Sequence, residues 1–218
     1  MQDVVKKSLK DIFSRDVVLF VIQIGFISLV LSSLFVWYFW EGLSSFIVSY
    51  LSWIPWEWLQ TSGAKVITLG LAYMIFISTV SLLTSLYSEK LLIKLAKKHY
   101  HDAVVIGTAD ITTSVFVTLK ATIIFLFLFI LCIPLLFIPL FGQIVMLYLW
   151  SILIKEPTMY DVQALFIPKG KRKVMRKKST LFAMTASLFN YIPLVNMFAP
   201  VFAQILFLHH MFINGNKS

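Results

Sequence analysis

The stretch IPLVNMFAP, residues 192–200, interrupts a long apolar run that extends from 180 to 213. Proline removes a backbone donor and breaks a helix, and a buried asparagine needs hydrogen-bond partners. A single helix over the 34 residues from 180 to 213 would be about 51 Å long, whereas the hydrocarbon core of a bilayer is about 30 Å thick. Two complete spans would need about 40 residues and a turn. The run therefore predicts a helical hairpin that enters the membrane part-way, turns near Pro193 and Pro200, and leaves on the same side.

An earlier apolar run, 121–154, has the same length and is also interrupted by prolines, Pro134 and Pro139. It predicts a second hairpin of the same kind. A turn at membrane depth survives only where protein buries it or where it lines a wet cavity. We therefore expect Asn190 and Asn196 to satisfy loose backbone groups at the tip of the later hairpin. The alternative is an ordinary membrane helix that the prolines kink.

The two runs also resemble each other in detail. Residues 133–149 and 192–208 share the frame I-P-L, a few residues, then P-x-F-[G/A]-Q-I-x-x-L, with a gap of two residues. Gln143 and Gln204 occupy the same place in this frame. Paired, proline-interrupted segments in the two halves of a chain are typical of binding or permeation sites in transporters.

The composition excludes an ordinary soluble domain. Of the 218 residues, 59% are hydrophobic and only 13% are charged, and runs of about 20 apolar residues indicate membrane spans. The formal net charge of +9 is explained by the excess of Lys and Arg in cytoplasmic loops, so nucleic-acid binding is not expected. The single cysteine, Cys132, lies in an apolar run and excludes a disulfide within the chain.

The sequence predicts an all-α integral membrane protein with two long transmembrane helices and two proline-broken, hemi-penetrating helical hairpins. The whole chain, 1–218, forms one membrane domain in this interpretation. Its predicted segments are an amphipathic cytoplasmic N-terminus (1–16), a first span (17–40), an outer interfacial segment rich in tryptophan (41–63), a second span with a cytoplasmic extension (64–100), a first hairpin (113–154), a basic cytoplasmic loop (155–179) and a second hairpin (180–213).

Charge bias gives the predicted topology, because Lys and Arg concentrate on the cytoplasmic side. The basic loop and the basic N-terminus place both termini in the cytoplasm and make both hairpins enter from that side. Part of this loop is expected to bind anionic lipid headgroups. The residues concerned are Lys171, Arg172, Lys173, Arg176, Lys177 and Lys178.

Few side chains are candidates for binding an anion, lining a polar path or ligating a metal. Arg15, at the foot of the first span, is a candidate anion ligand, since helix N-termini favour anions; the alternative is a basic anchor at the headgroups. Asn196 is a candidate for a polar path, against the alternative of hydrogen bonds between helices. We expect no metal site, because His99 and His101 in HYHD fit no common helical face and lack an obvious third ligand. His209 and its neighbour are expected to contact headgroups.

No nucleophile, paired carboxylates or phosphate-binding loop stands out, so neither an enzyme nor a cofactor is expected.

Five segments are similar to the CysZ family of sulfate permeases, which shares its domain with the etoposide-induced membrane proteins. They are DIFSRDVVLF (11–20), SWIPWEWLQ (52–60), SEKLLIKLAKKH (88–99), WSILIKEPTMYD (150–161) and IPLVNMFAPVFA (192–203). The resemblance implies two long transmembrane helices with two hemi-penetrating hairpins, a homo-oligomer in the bacterial inner membrane, and passage of sulfate. Arg15 matches the first arginine of the family's Gly-Leu-Arg-Arg motif, whereas Asp16 stands in place of the second. A carboxylate there is expected to repel a dianion.

The sequence thus predicts a channel-like permease for sulfate or a similar small anion, without covalent chemistry. The alternative is a structural or assembly protein that keeps the fold without the transport. A continuous polar cavity at Arg15 and Asn196 would favour the permease. A sealed apolar interior would favour the structural or assembly protein.

Overall fold

The computed structural model describes residues 2–52, 55–136, 138, 140–168 and 179–215, and this part of the chain is helical, without strands. Eight α-helices follow one another: α1 (Gln2–Ile12), α2 (Arg15–Tyr50), α3 (Glu57–Tyr87), α4 (Glu89–His99), α5 (Ile111–Leu136), α6 (Phe141–Phe166), α7 (Ser179–Ser187) and α8 (Ala199–Gly215). Two short 3-10 helices, Leu188–Tyr191 and Val195–Phe198, separate α7 from α8.

Four helical stretches of the described chain are long and apolar enough to cross a membrane. They are Arg15–Ser49, Gln60–Tyr87, Ile111–Phe129 and Val195–Ile213. The molecule is therefore a membrane protein with several apolar helices. The first stretch is longer than the predicted span of 17–40, because no proline occurs before the turn at Pro55 and the helix continues through Gly42. The predicted outer segment, 41–63, is consequently divided between the end of α2, this turn and the start of α3.

The chain forms two compact units, one of residues Met1–Val21 and Thr84–Ser218 and the other of residues Ile22–Leu83. The second unit consists of the longer parts of α2 and α3 and their connection. Many of its large apolar side chains are exposed, among them Phe26, Trp37 and Met74. Such an apolar surface suits hydrocarbon rather than water as its surroundings.

The core of the first unit is built around α8. Every residue from Val201 to Met211 is buried, with α1, α4, α6 and α7 packed around the helix. Amphipathic helices supply the outer layer: α4 buries Leu91, Leu92, Leu95 and Ala96. These four positions recur at helical spacing, so one face of α4 is apolar.

The proline-containing runs form two helix–turn–helix pairs in this unit. α5 begins directly after Asp110. The carboxylate of Asp110 accepts a hydrogen bond from the backbone N–H of Thr113 at 2.9 Å, as the side chain of a helix N-cap does. It packs along α6, and the connection between them contains Leu140 with φ 62°. In the later pair Pro193 lies in the turn between the 3-10 helices, and Leu194 has φ 67°.

The two turns are close in space. The hydroxyl of Tyr191 donates a hydrogen bond to the backbone carbonyl of Gln143, at 3.1 Å. Gln143 itself is exposed, whereas Gln204, its counterpart in the repeat, is buried. The sequence repeat therefore places the glutamines in different surroundings.

Candidate functional site

A basic patch lies where α2 begins, on the surface of the first unit. Arg15 is exposed, and the carboxylate of the next residue, Asp16, lies 2.8 Å from the ammonium of Lys94 on α4. Lys98, one helical turn further along α4, is close enough to act on the same carboxylate. Three cations therefore surround one anion, and the local charge is positive despite Asp16. The expected repulsion of an anion by Asp16 is reduced accordingly.

A buried polar cluster lies in the same unit, among α1, α4 and α8. The Oδ2 atom of Asp11 is 2.8 Å from Nε2 of His99 and 2.9 Å from Nε2 of His209. The Nδ1 atom of His209 is 2.8 Å from the hydroxyl of Tyr100. Asp11 and His209 are almost completely buried, whereas the His99 side chain is 21% exposed. Each helix thus contributes one ligating side chain to a common point.

Local sequence explains how each helix aims its side chain inward. On α1 the buried positions are Val4, Ser8, Asp11 and Ile12, which follow one helical stripe. His99 is the last residue of α4, and Tyr100 follows in an extended conformation that caps the helix. His209 lies on α8, which is buried on all sides around that position. The cluster therefore joins the first and last helices of the described chain to α4.

Electrostatics favour the ionised form of Asp11. Burial raises the pKa of its carboxyl, but hydrogen bonds with His209 and His99 outweigh burial, so that the pKa lies below its usual range. Burial, together with the charge of Asp11, raises the pKa of Tyr100 to about 12. Tyr100 is therefore a neutral phenol that can donate to, or accept from, the imidazole. The ammonium of Lys7 lies over its ring, 5.3 Å from the centroid.

A further buried carboxylate, Asp161 on α6, is hydrogen-bonded to two hydroxyl groups within the first unit. It accepts hydrogen bonds from the hydroxyl of Ser85, at 2.9 Å, and from the hydroxyl of Ser114. Burial raises the pKa of Asp161, and the two hydrogen bonds oppose that rise without cancelling it. Within the first unit, this network joins Ser85 to α6 and links α5 to α6 through Ser114.

The tip residues predicted from the sequence have separate positions. Asn196 lies in the second 3-10 helix, where its Oδ1 atom is buried without a hydrogen-bond partner. Asn190 is half-buried in the first, and Pro200 lies in the first turn of α8. Within the described residues, no hydrogen bond or ion pair joins Arg15 to Asn196. The structure therefore does not join the two candidate anion ligands in one site, and each remains a prediction of its own.

Most of the remaining residues that the sequence analysis singled out lie outside the described part of the chain. Pro134 lies in the last turn of α5, and Pro139 lies outside the described residues. So do the lipid-binding candidates, which are Lys171, Arg172, Lys173, Arg176, Lys177 and Lys178.

The histidine predictions need correction. His209 does not contact headgroups, because it is fully buried against Asp11. His99 does not act with its sequence neighbour His101, which is exposed; it meets Asp11 from α1 and His209 from α8 instead. The missed signal is Asp11, an acidic residue on the same helical stripe of α1 as Val4, Ser8 and Ile12.

Comparison with known families gives one match. Residues 4–200 match the family described as Sulfate transporter CysZ/Etoposide-induced protein 2.4. The chain belongs to this family. No curated protein and no solved structure matches the chain. The family match includes the basic patch, Asp11 and His99, and it ends before His209.

Proposed function

We propose that this protein is a channel-like permease that passes sulfate or a similar small anion across the bacterial cytoplasmic membrane. The observation that carries the proposal, beside the family membership, is the basic patch around Asp16. Arg15, Lys94 and Lys98 leave a net positive charge at the N-terminus of α2. Such a charge raises the local concentration of anions at a channel mouth. The reaction involves no covalent chemistry and no cofactor.

The arrangement in the membrane is part of the same proposal. The chain forms one membrane domain, with both termini in the cytoplasm and with α5–α6 and α7–α8 as hemi-penetrating hairpins that enter from that side. Large apolar side chains on α5, such as Phe116 and Phe127, are exposed and suit contact with lipid or with a second copy. The basic run before α7 binds anionic headgroups in this arrangement.

The path itself lies between subunits of a homo-oligomer. A cavity between α6 and α8, lined by residues such as Gln163 and His210, has a volume of about 10 Å³, which is enough for about one water molecule. Sulfate does not fit there. We also assign Asn196, at the tip of the α7–α8 hairpin, to the permeation machinery, with its amide N–H2 group as the donor that an anion requires.

The test is uptake of radiolabelled sulfate into proteoliposomes that hold the purified full chain. Arg15→Ala is compared with Lys10→Ala, which removes an equally exposed charge from α1. We expect uptake above empty vesicles, about tenfold slower in Arg15→Ala and nearly unchanged in Lys10→Ala, since a charge-assisted contact contributes about 1.5 kcal/mol. Equal rates in both variants would remove Arg15 from the path, and no uptake would overturn the proposal.

A second candidate function is a structural or assembly role in the membrane. The dense burial of α8 favours it, because the described interior of the first unit is mainly apolar along this helix. The same uptake experiment separates the two, since a correctly inserted oligomer without sulfate uptake supports the structural role.

A further inference from the structure

We propose that Asp11, His99 and His209 form a binding site for a divalent transition metal ion of the zinc class. Their ligating atoms, one from each residue, lie within 4.8 Å of one another. The site shares no residue with the basic patch and does not depend on the proposed transport. A bound ion would join α1, α4 and α8 and so fix both ends of the described chain to one point.

The ligand set selects the kind of metal. Two imidazole nitrogens and one carboxylate oxygen are the ligands of many three-residue zinc sites. Imidazole suits zinc, copper, iron and nickel, whereas magnesium and calcium prefer oxygen ligands. Three protein ligands leave a fourth position of a tetrahedron for water or another donor.

The two contacts of Asp11 require only a small adjustment, and the two imidazole nitrogens, which lie within 4.8 Å of each other, approach to the same separation. Nε2 of His99 and Nε2 of His209 are now 2.8 Å and 2.9 Å from Oδ2 of Asp11, as in hydrogen bonds. Around a zinc ion at about 2.0–2.1 Å from each ligand, neighbouring ligand atoms are roughly 3.3 Å apart. Each contact therefore opens by about half an ångström. His99 can move most easily, because it ends α4 and is partly exposed.

The hydrogen-bonded neighbour of the cluster fits both states of His209. Without metal, Nε2–H donates to Asp11, and Nδ1 accepts from the hydroxyl of Tyr100, at 2.8 Å. With metal on Nε2, the ring proton lies on Nδ1 and is donated to the same hydroxyl oxygen. Metal-ligating histidines usually have such a partner, which fixes the tautomer and the ring orientation.

The surrounding residues determine how an ion reaches the site and which charges act on it. Exposure of His99 provides a route for the ion from the surface. The carboxylate of Asp11 supplies negative charge, whereas the ammonium of Lys7 over the Tyr100 ring opposes a cation. His210 does not belong to the site, because its ring packs against Phe182 with centroids 4.6 Å apart.

The experiment uses the full chain in detergent after treatment with a chelator. Zinc binding is followed by calorimetry, and bound zinc is counted after dialysis. We expect about one zinc per chain in the unmodified protein and in His101→Gln, and none retained in His99→Gln. Tyr100→Phe should bind about tenfold more weakly. Magnesium should not compete. Absence of stoichiometric zinc, or equal binding in His99→Gln and His101→Gln, would overturn the proposal.

A second variant, His99→Cys, tests the proposal if His99→Gln fails to fold. In His99→Cys the substituted side chain remains a ligand, and cobalt then shows a thiolate-to-metal absorption band. The unmodified protein already contains Cys132 and is the control, in which no such band is expected. A folded His99→Cys protein that binds cobalt without this band would place the metal elsewhere and sink the proposal.

Discussion

Asp11 and His209 are 198 residues apart in the sequence, yet Oδ2 of the carboxylate and Nε2 of the imidazole are 2.9 Å apart in the fold. The contact holds α1 against α8, the central helix of the first unit. Because both side chains are almost completely buried, neither finds water as an alternative partner. The contact is therefore a structural link between the beginning and the end of the described chain.

Removal of this link should release α1. Asp11→Ala leaves the Nε2 atoms of His99 and His209 without this partner, and a buried polar group left without a partner costs about 1–3 kcal/mol. We expect a lower thermal midpoint in detergent and faster tryptic cleavage at Lys6, Lys7 or Lys10 on α1. Asp3→Ala, an exposed change on the same helix, should alter neither. Equal cleavage of the two variants would show that α1 is held without Asp11.

The sequence predicts the features that depend on periodicity. The buried face of α4, with Leu91 and Leu95, follows directly from apolar spacing, because helix geometry alone brings these positions together. The interruption around Pro193 also lies where the prolines predict it, since proline cannot continue a helix interior. Both features are local, and local rules are sufficient for them.

The buried cluster could not be predicted in the same way. Nothing local relates Asp11 to His99 or to His209, since the three residues meet only after α1, α4 and α8 pack together. The short spacing of His99 and His101 indicated the wrong pair of histidines. Sequence spacing shows only residues that are close along the chain, whereas His99 and His209 meet through packing of the helices. The position of Asp11 on the same stripe of α1 as Val4 and Ile12 was the available sign that a buried partner exists.

Asp16 gives a prediction for transport that rests on the proposed function. Its carboxylate offsets part of the charge of Lys94, 2.8 Å away. Asp16→Asn makes the patch more positive, so sulfate should reach half-maximal uptake at a several-fold lower concentration. The gain should shrink as salt is added, because exposed charges are screened over about 8 Å at physiological ionic strength. The check is proteoliposome uptake at low and at physiological salt, and unchanged half-saturation would exclude the patch from the path.

Asp161 gives a prediction about pH. Its pKa is raised by burial in the folded protein, whereas in the unfolded chain an aspartate titrates near 3.9. The folded state therefore retains the proton longer, and this contribution to stability is complete below pH of about 4 and is lost as the pH rises through the higher, folded pKa. Asp161→Asn removes this dependence, so its stability relative to the unmodified protein should improve as the pH rises above about 4.

The measurement for Asp161→Asn is the denaturation midpoint in detergent at a series of pH values from acid to neutral. Glu156→Gln, which removes an exposed carboxylate from the same helix, controls for loss of a charge. If the difference between Asp161→Asn and the unmodified protein did not change with pH, the buried carboxyl would not titrate differently in the two states.

Leu194 has φ 67° and ψ −39° in the turn between the two 3-10 helices. Side chains other than glycine rarely adopt this conformation, and the strain is of order 1–3 kcal/mol. The side chain is 69% exposed, so its loss removes little packing. Glycine costs about 0.5–1 kcal/mol in conformational entropy, which is less than the strain that it relieves. Leu194→Gly should therefore stabilise the protein by about 1 kcal/mol.

Leu188→Gly is the matched control, in the first 3-10 helix. Leu188 is also exposed, at 51%, but it does not have a positive φ. This substitution relieves no strain and should destabilise the protein by about 0.5–1 kcal/mol, the entropic cost of glycine. The two variants therefore shift the denaturation midpoint in opposite directions. A loss of stability in both would mean that the backbone at Leu194 is not strained, and that the Pro-Leu turn is stable in this conformation by itself.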